Sequence, residues 1–117
     1  MPQATLICAI EDLIPNTGVG ALIDGEQVAL FRVHDKDGEH FFAVSNHDPF
    51  SGANVIARGI VGSLQGEIVV ASPIYKQHFN LRTGQCLEDS SVRLECWQVH
   101  CRNQHVYIEP QPLEVAA

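Results

Sequence analysis

The stretch SPIYKQHFNLRTGQCL, residues 72–87, sets the character of the whole chain. Pro73 to Gln77 reads as a loop, and His78-Phe79-Asn80-Leu81 as a short strand. Arg82-Thr83-Gly84-Gln85 then supplies turn chemistry, and Gln85-Cys86-Leu87-Glu88 reads as the next short strand. No helical spacing of apolar residues runs through it.

The same alternation of short strands and tight turns extends outward in both directions. Upstream, IVGSLQGEIVVAS gives two strands about Gln65-Gly66, preceded by the irregular segment DPFSGANVIARG. HFFAVSN reads as a strand, and Asp37-Gly38 marks the turn before it. GALIDGEQVALFRV carries Asp24-Gly25 between apolar runs, a strong hairpin signal. ATLICAI opens the chain with β-favouring residues. Downstream, LECWQVHCR and HVYIEP are joined by Asn103-Gln104, and Trp97, Val99 and Cys101 alternate with polar neighbours. About ten short strands without an amphipathic helix indicate an all-β protein, an antiparallel β-sandwich or barrel. The 117 residues suit one domain, with a core over about residues 5–109 and a flexible tail over 110–117.

Composition limits the partners. Seven Lys and Arg against fourteen Asp and Glu give a net charge of −7, and the cations are scattered. Nucleic-acid binding needs clustered positive charge, so it is not expected. No apolar run reaches the ~18 residues of a spanning helix, so no membrane partner is expected. The start, MPQATLICAIEDL, has no basic segment and meets Glu11 and Asp12 early, which points to the cytoplasm.

Candidate chemistry is sparse. Cys8, Cys86, Cys96 and Cys101 have no metal-ligand spacing, and Cys96 and Cys101 fall on opposite faces of a predicted strand. Reduced, buried and inert thiols are expected. The serines lie in no nucleophile elbow, and no glycine-rich loop opens a helix. Glu88-Asp89 reads as a solvated acidic edge rather than an acid–base pair. The residues themselves offer no catalytic machinery.

Two segments together, AVSNHDPFSGANV and SPIYKQHFNLRTGQCL, resemble the ligand loops of the Rieske family. There the loops read C-P-H-x-G and C-P-x-H-G-x-x-F, and two cysteines and two histidines hold a [2Fe–2S] cluster. Pro49, Gly52, Pro73, Phe79, Thr83 and Gly84 match as scaffold. The ligand positions depart: Asp48 and Ser72 stand for the cysteines, Phe50 and Tyr75 for the histidines. The resemblance implies a Rieske-like fold with both loops at one tip and no cluster. It also implies that Phe50 fills the vacated volume and that the Tyr75 hydroxyl reaches Asp48 or Ser72.

Within that family the chain resembles the small subunits of assimilatory NAD(P)H-dependent nitrite reductases. These carry N-x-D-P-F-S, R-G-I-V-G and V-A-S-P-x-Y-K-Q-x-F, matched here from Asn46, Arg58 and Val70. The resemblance implies an accessory role in reducing nitrite to ammonium in nitrate assimilation. FAD, an iron–sulfur cluster and sirohaem are then expected in the large subunit, and no cofactor or metal in this chain. Arg58, Tyr75, Lys76, Gln77 and His78 are the residues expected to dock it. The alternative is an electron-transfer protein holding iron through Asp48, His47, His78 or a cysteine; a third reading is a stand-alone β-sandwich that binds another protein.

Overall fold

The computed structural model describes residues 4–114. They form nine strands: β1 (Thr5–Ala9), β2 (Thr17–Ile23), β3 (Glu26–Asp35), β4 (Gly38–Ser45), β5 (Ile60–Leu64), β6 (Glu67–Ala71), β7 (His78–Asn80), β8 (Cys96–Arg102) and β9 (His105–Pro112). Single 3-10 turns lie at Ile10–Asp12 and Ile56–Arg58. Every strand pair is antiparallel, in one sheet ordered β1-β9-β8-β4-β3-β2 and another ordered β5-β6-β7. The all-β antiparallel architecture read from the sequence is the one observed.

Hairpin chemistry explains the connections. A two-residue type I′ turn needs positive φ at both central residues, so that its twist matches the strands. Asp24-Gly25 (47° and 81°), Gln65-Gly66 (53° and 79°) and Asn103-Gln104 (51° and 64°) all supply it.

β3 organises the layers, because Val28-Ala29-Leu30-Phe31 is buried on both faces of the strand. Ala29, Phe31 and Val33 enter one core with Val44, Ile56, Val70, Phe79 and Leu81, beneath the small sheet. Val28 and Leu30 enter a second core with Leu13, Ile23, Ala43, Trp97, Val106 and Ile108, around which the larger sheet curls. Arg32 helps close that curl: its guanidinium donates to the Leu13 carbonyl at 2.9 Å and pairs with Glu39 at 2.6 Å.

Three expectations need correction. Gln85-Cys86-Leu87-Glu88 is no tenth strand; it makes only the isolated bridges Phe79 to Cys86 and Gln85 to Arg93. The Gln85 side-chain amide donates to the carbonyls of Ser90 and Val92 at 2.9 and 3.0 Å, which folds the following segment back as a loop. Residues 110–112 belong to β9 rather than to a tail, held by Trp97 opposite Pro112 and by Leu113 N–H on the Cys96 carbonyl. The rest of the expected tail lies at 113–114 and, for 115–117, outside the described residues. Finally, Cys86 and Cys96 are buried and Cys8 is half-buried, but Cys101 is exposed; all four are free thiols. No described helix is long and apolar enough to cross a membrane.

Candidate functional site

The loops at residues 48–53 and 72–77 are built alike. In each, the first residue's N–H donates to a carbonyl five positions on: Asp48 to Ala53 at 2.8 Å, and Ser72 to Gln77 at 2.9 Å. In each, the first residue's carbonyl accepts from four positions on: from Gly52 at 2.8 Å, and from Lys76 at 3.1 Å. The first side chain also caps the turn, accepting from Phe50 N–H at 2.9 Å in one loop and from Ile74 N–H at 3.3 Å in the other. The closing residue has positive φ in both, 79° at Gly52 and 66° at Lys76. Lysine thus holds a backbone position where the Rieske pattern has glycine, at a cost of order 1 kcal/mol.

The two capping side chains meet. Ser72 Oγ donates to Asp48 Oδ2 at 2.5 Å, and both residues are 0% exposed. Burial pushes the Asp48 carboxyl upward, but hydrogen bonds from Ser72, Phe50 and Ser51 outweigh it and hold the group below the usual carboxylate range. The two positions that bear cysteines in the Rieske pattern are therefore tied directly to each other.

Asn46 anchors the first loop from below. Its Oδ1 accepts from Ala57 N–H at 2.7 Å, and its backbone bridges Gln27 and Ile56. In sequence Asn46 is one member of the N-x-D-P-F-S motif, and its type carries no signal for this role. Glu88 anchors the second loop: Oε1 accepts from His78 N–H at 2.7 Å, and Oε2 meets His78 Nδ1 at 2.6 Å. Burial raises the Glu88 carboxyl and the bonds from His78 more than reverse it. Glu88 is thus exposed, as a solvated acidic edge would be, and also clamps His78.

Phe50 is half-buried against the first core, its ring 6.2 Å from that of Phe79 and tilted by 45°. Its burial is partial, where filling a vacated volume would bury it fully. Replacing Phe50 with alanine should lower stability by about 2 kcal/mol, less than a fully buried phenylalanine. A thermal melt of Phe50→Ala checks this. Tyr75 does not pack inward: it is 60% exposed, and its hydroxyl has no hydrogen-bond partner among the described residues. The direct bond between Asp48 and Ser72 already satisfies the groups it was expected to reach.

Of the docking candidates, Arg58, Tyr75 and Lys76 are exposed. Gln77 and His78 turn into the fold, the first half-buried and the second clamped by Glu88. Ile60 (71% exposed) and Ile74 (44%) join the surface and were missed, because a strand-end or loop isoleucine looks like core in sequence. Ile60 pairs with Ala71, which places Arg58 and Ile60 beside the second loop.

The donor set does not fit a [2Fe–2S] cluster. Phe50 has no ligand atom, Asp48 and Ser72 are bonded to each other, and His78 Nδ1 is held by Glu88. Cys86 and Cys96 are buried within the first core. Among the described residues no three His, Cys, Asp or Glu side chains converge as metal ligands.

Comparison with known proteins agrees with the fold. A family profile described as a Rieske-like [2Fe–2S] domain matches residues 3–109. The nitrite reductase (NADH) small subunit of Salmonella typhimurium is 45% identical over 103 residues, covering 88% of this chain and 94% of that one. A crystal structure of an NADH-dependent nitrite reductase small subunit from Mycobacterium tuberculosis has a TM-score of 0.86 at 43% identity, covering 100% of this chain and 99% of that chain. The nitrite reductase [NAD(P)H] large subunit of Klebsiella oxytoca is 36% identical over 107 residues, 92% of this chain but 11% of that one. With its two matched loops and their departed ligand positions, the chain belongs to the Rieske-like domain family, in its nitrite reductase small-subunit branch.

Proposed function

We propose that this chain is a cluster-free, redox-inert accessory subunit that docks the nitrite reductase large subunit through its loop tip. The observation that carries the reading is the buried bond between Asp48 and Ser72, which uses the side chains at both cysteine positions to close the loops without metal. The large subunit supplies FAD, an iron–sulfur cluster and sirohaem, and reduces nitrite to ammonium in cytoplasmic nitrate assimilation. The small subunit contributes surface, not electrons.

The tip suits docking. Exposed Ile60, Ile74 and Tyr75 lie with Arg58 and Lys76, and the sole acid of the two loops, Asp48, is buried. In a chain of net charge −7 this is an apolar patch with cationic edges, suited to an apolar hollow rimmed by carboxylates. That a large subunit from Klebsiella oxytoca contains a segment similar to this chain supports association with one large chain. Tyr75→Ala and Lys76→Ala should each weaken the complex about ten-fold. The check is co-purification with the co-expressed large subunit, together with NADH-dependent nitrite reduction. Binding and activity equal to the parent's in both variants would reject the tip as the interface.

A further inference from the structure

Resting on that docking reading, we propose that β5 is a strand-addition edge, to which an extended segment of the large subunit adds as a further strand of the small sheet. The geometry follows from the hairpin. The two-residue turn at Gln65-Gly66 makes Leu64 and Glu67 a hydrogen-bonded pair, and the ladder then bonds Gly62 to Val69 and Ile60 to Ala71. Val61 and Ser63 therefore point their N–H and C=O groups away from β6, at the free side of the sheet. Those groups have no partner among the described residues.

Edges of this kind are normally blunted by lysine, proline, bulges or a covering loop. β5 reads Ile60-Val61-Gly62-Ser63-Leu64 and has no charge, no proline and an unbroken register. The opposite edge, β7, is covered: Leu87 N–H reaches the His78 carbonyl, and Asn80 N–H reaches that of Gln85. β1 is interrupted by a register shift between Leu6 and Cys8. β2 puts Gly18 and Gly20 at outward positions, which weakens pairing there. β5 alone combines a bare edge with good strand residues.

Space and position favour the same occupant. Val61, Gly62 and Ser63 of β5, with Ile68 of β6, line a cleft of about 600 Å³ whose other wall includes Val33, His34, Asp35 and Lys36 at the far end of β3. The strand begins at Ile60, beside Arg58 and the tip loops, so the edge and the docking patch form one continuous surface. A second copy of this chain is a poor occupant. Five residues a side fall far short of the roughly 20–30 of a stable interface. A large partner already seated on the tip supplies the rest.

Ser63→Pro tests this, because the N–H it removes points outward and the ladder to β6 is kept. Alongside it, backbone hydrogen exchange at Val61 and Ser63 is measured in the unmodified chain, free and bound to the co-expressed large subunit. The expected result is at least ten-fold slower exchange at both amides on binding. Ser63→Pro should weaken the complex at least ten-fold while the free chain's melting temperature holds. A complex in which both amides exchange as in the free chain overturns strand addition, even where Tyr75→Ala weakens binding and so upholds the docking tip. Slow exchange in the free chain at doubled mass assigns the edge to a second copy and also overturns it. No complex at all overturns both readings together.

Discussion

Asp48→Ala is expected to lower the stability of the chain by roughly 3 kcal/mol, a fall in melting temperature of about 10–20 °C. The substitution strands the Ser72 hydroxyl and the Phe50 N–H, which donate to the carboxylate at 2.5 and 2.9 Å in a fully buried site. It also unties the two loops, so the loss falls on the tip as a whole. Thermal or urea melts of the variant check this, and a loss under about 1 kcal/mol would contradict it. The pH dependence has a definite sign. The Asp48 carboxyl is held below its usual range, so its contribution is fully present above the unfolded value near pH 4. It drains away as pH falls through the lower folded value. The stability gap between parent and variant should therefore narrow on acidification below about pH 4. Using the difference between the two isolates Asp48 from Asp35, Glu39, Glu88 and Asp89, which are also held low.

Gly84→Ala is expected to be at least as damaging. Gly84 has φ of 80°, in the left-handed region, and its N–H and carbonyl are engaged by Asn80 and Leu94 at 2.7 and 2.8 Å. A Cβ there would collide with the Leu94 carbonyl oxygen, a backbone atom that cannot swing aside. Left-handed strain contributes on the order of 1 kcal/mol, and the displaced backbone raises the total to about 4 kcal/mol. The turn carrying Gly84 sets where Leu94 and Cys96 enter the first core, so the damage reaches the packing beneath the tip. Equilibrium unfolding measures it. A variant within 1 kcal/mol of the parent would show that this turn relaxes freely.

Much of the fold was legible because local chemistry and pattern agreed. Asp24-Gly25, Gln65-Gly66 and Asn103-Gln104 each mark a turn at the residue level, and each forms one. The segment at Gln85 misled, because a side-chain amide reaching the Ser90 and Val92 carbonyls is a tertiary event with no local signature. Pro110 and Pro112 looked like a tail, yet a strand that needs little from their missing N–H groups tolerates them. At the site, the residue types at the four ligand positions were legible and their partners were not. Asp48 and Ser72 are 24 positions apart, and only the stacking of two similar loops brings them together. Tyr75 shows the limit from the other side, since an aromatic in a vacated pocket and an aromatic exposed at the tip read alike in sequence.

These loops close on themselves, and the account stands or falls on whether metal is needed to close them. The direct test is iron and acid-labile sulfide in the anaerobically purified chain, with its visible spectrum. The predicted result is near-zero iron and sulfide and no absorbance beyond the protein band. About two irons per chain with a reducible visible band would contradict the account, because the bond between Asp48 and Ser72 could not then be what joins the loops.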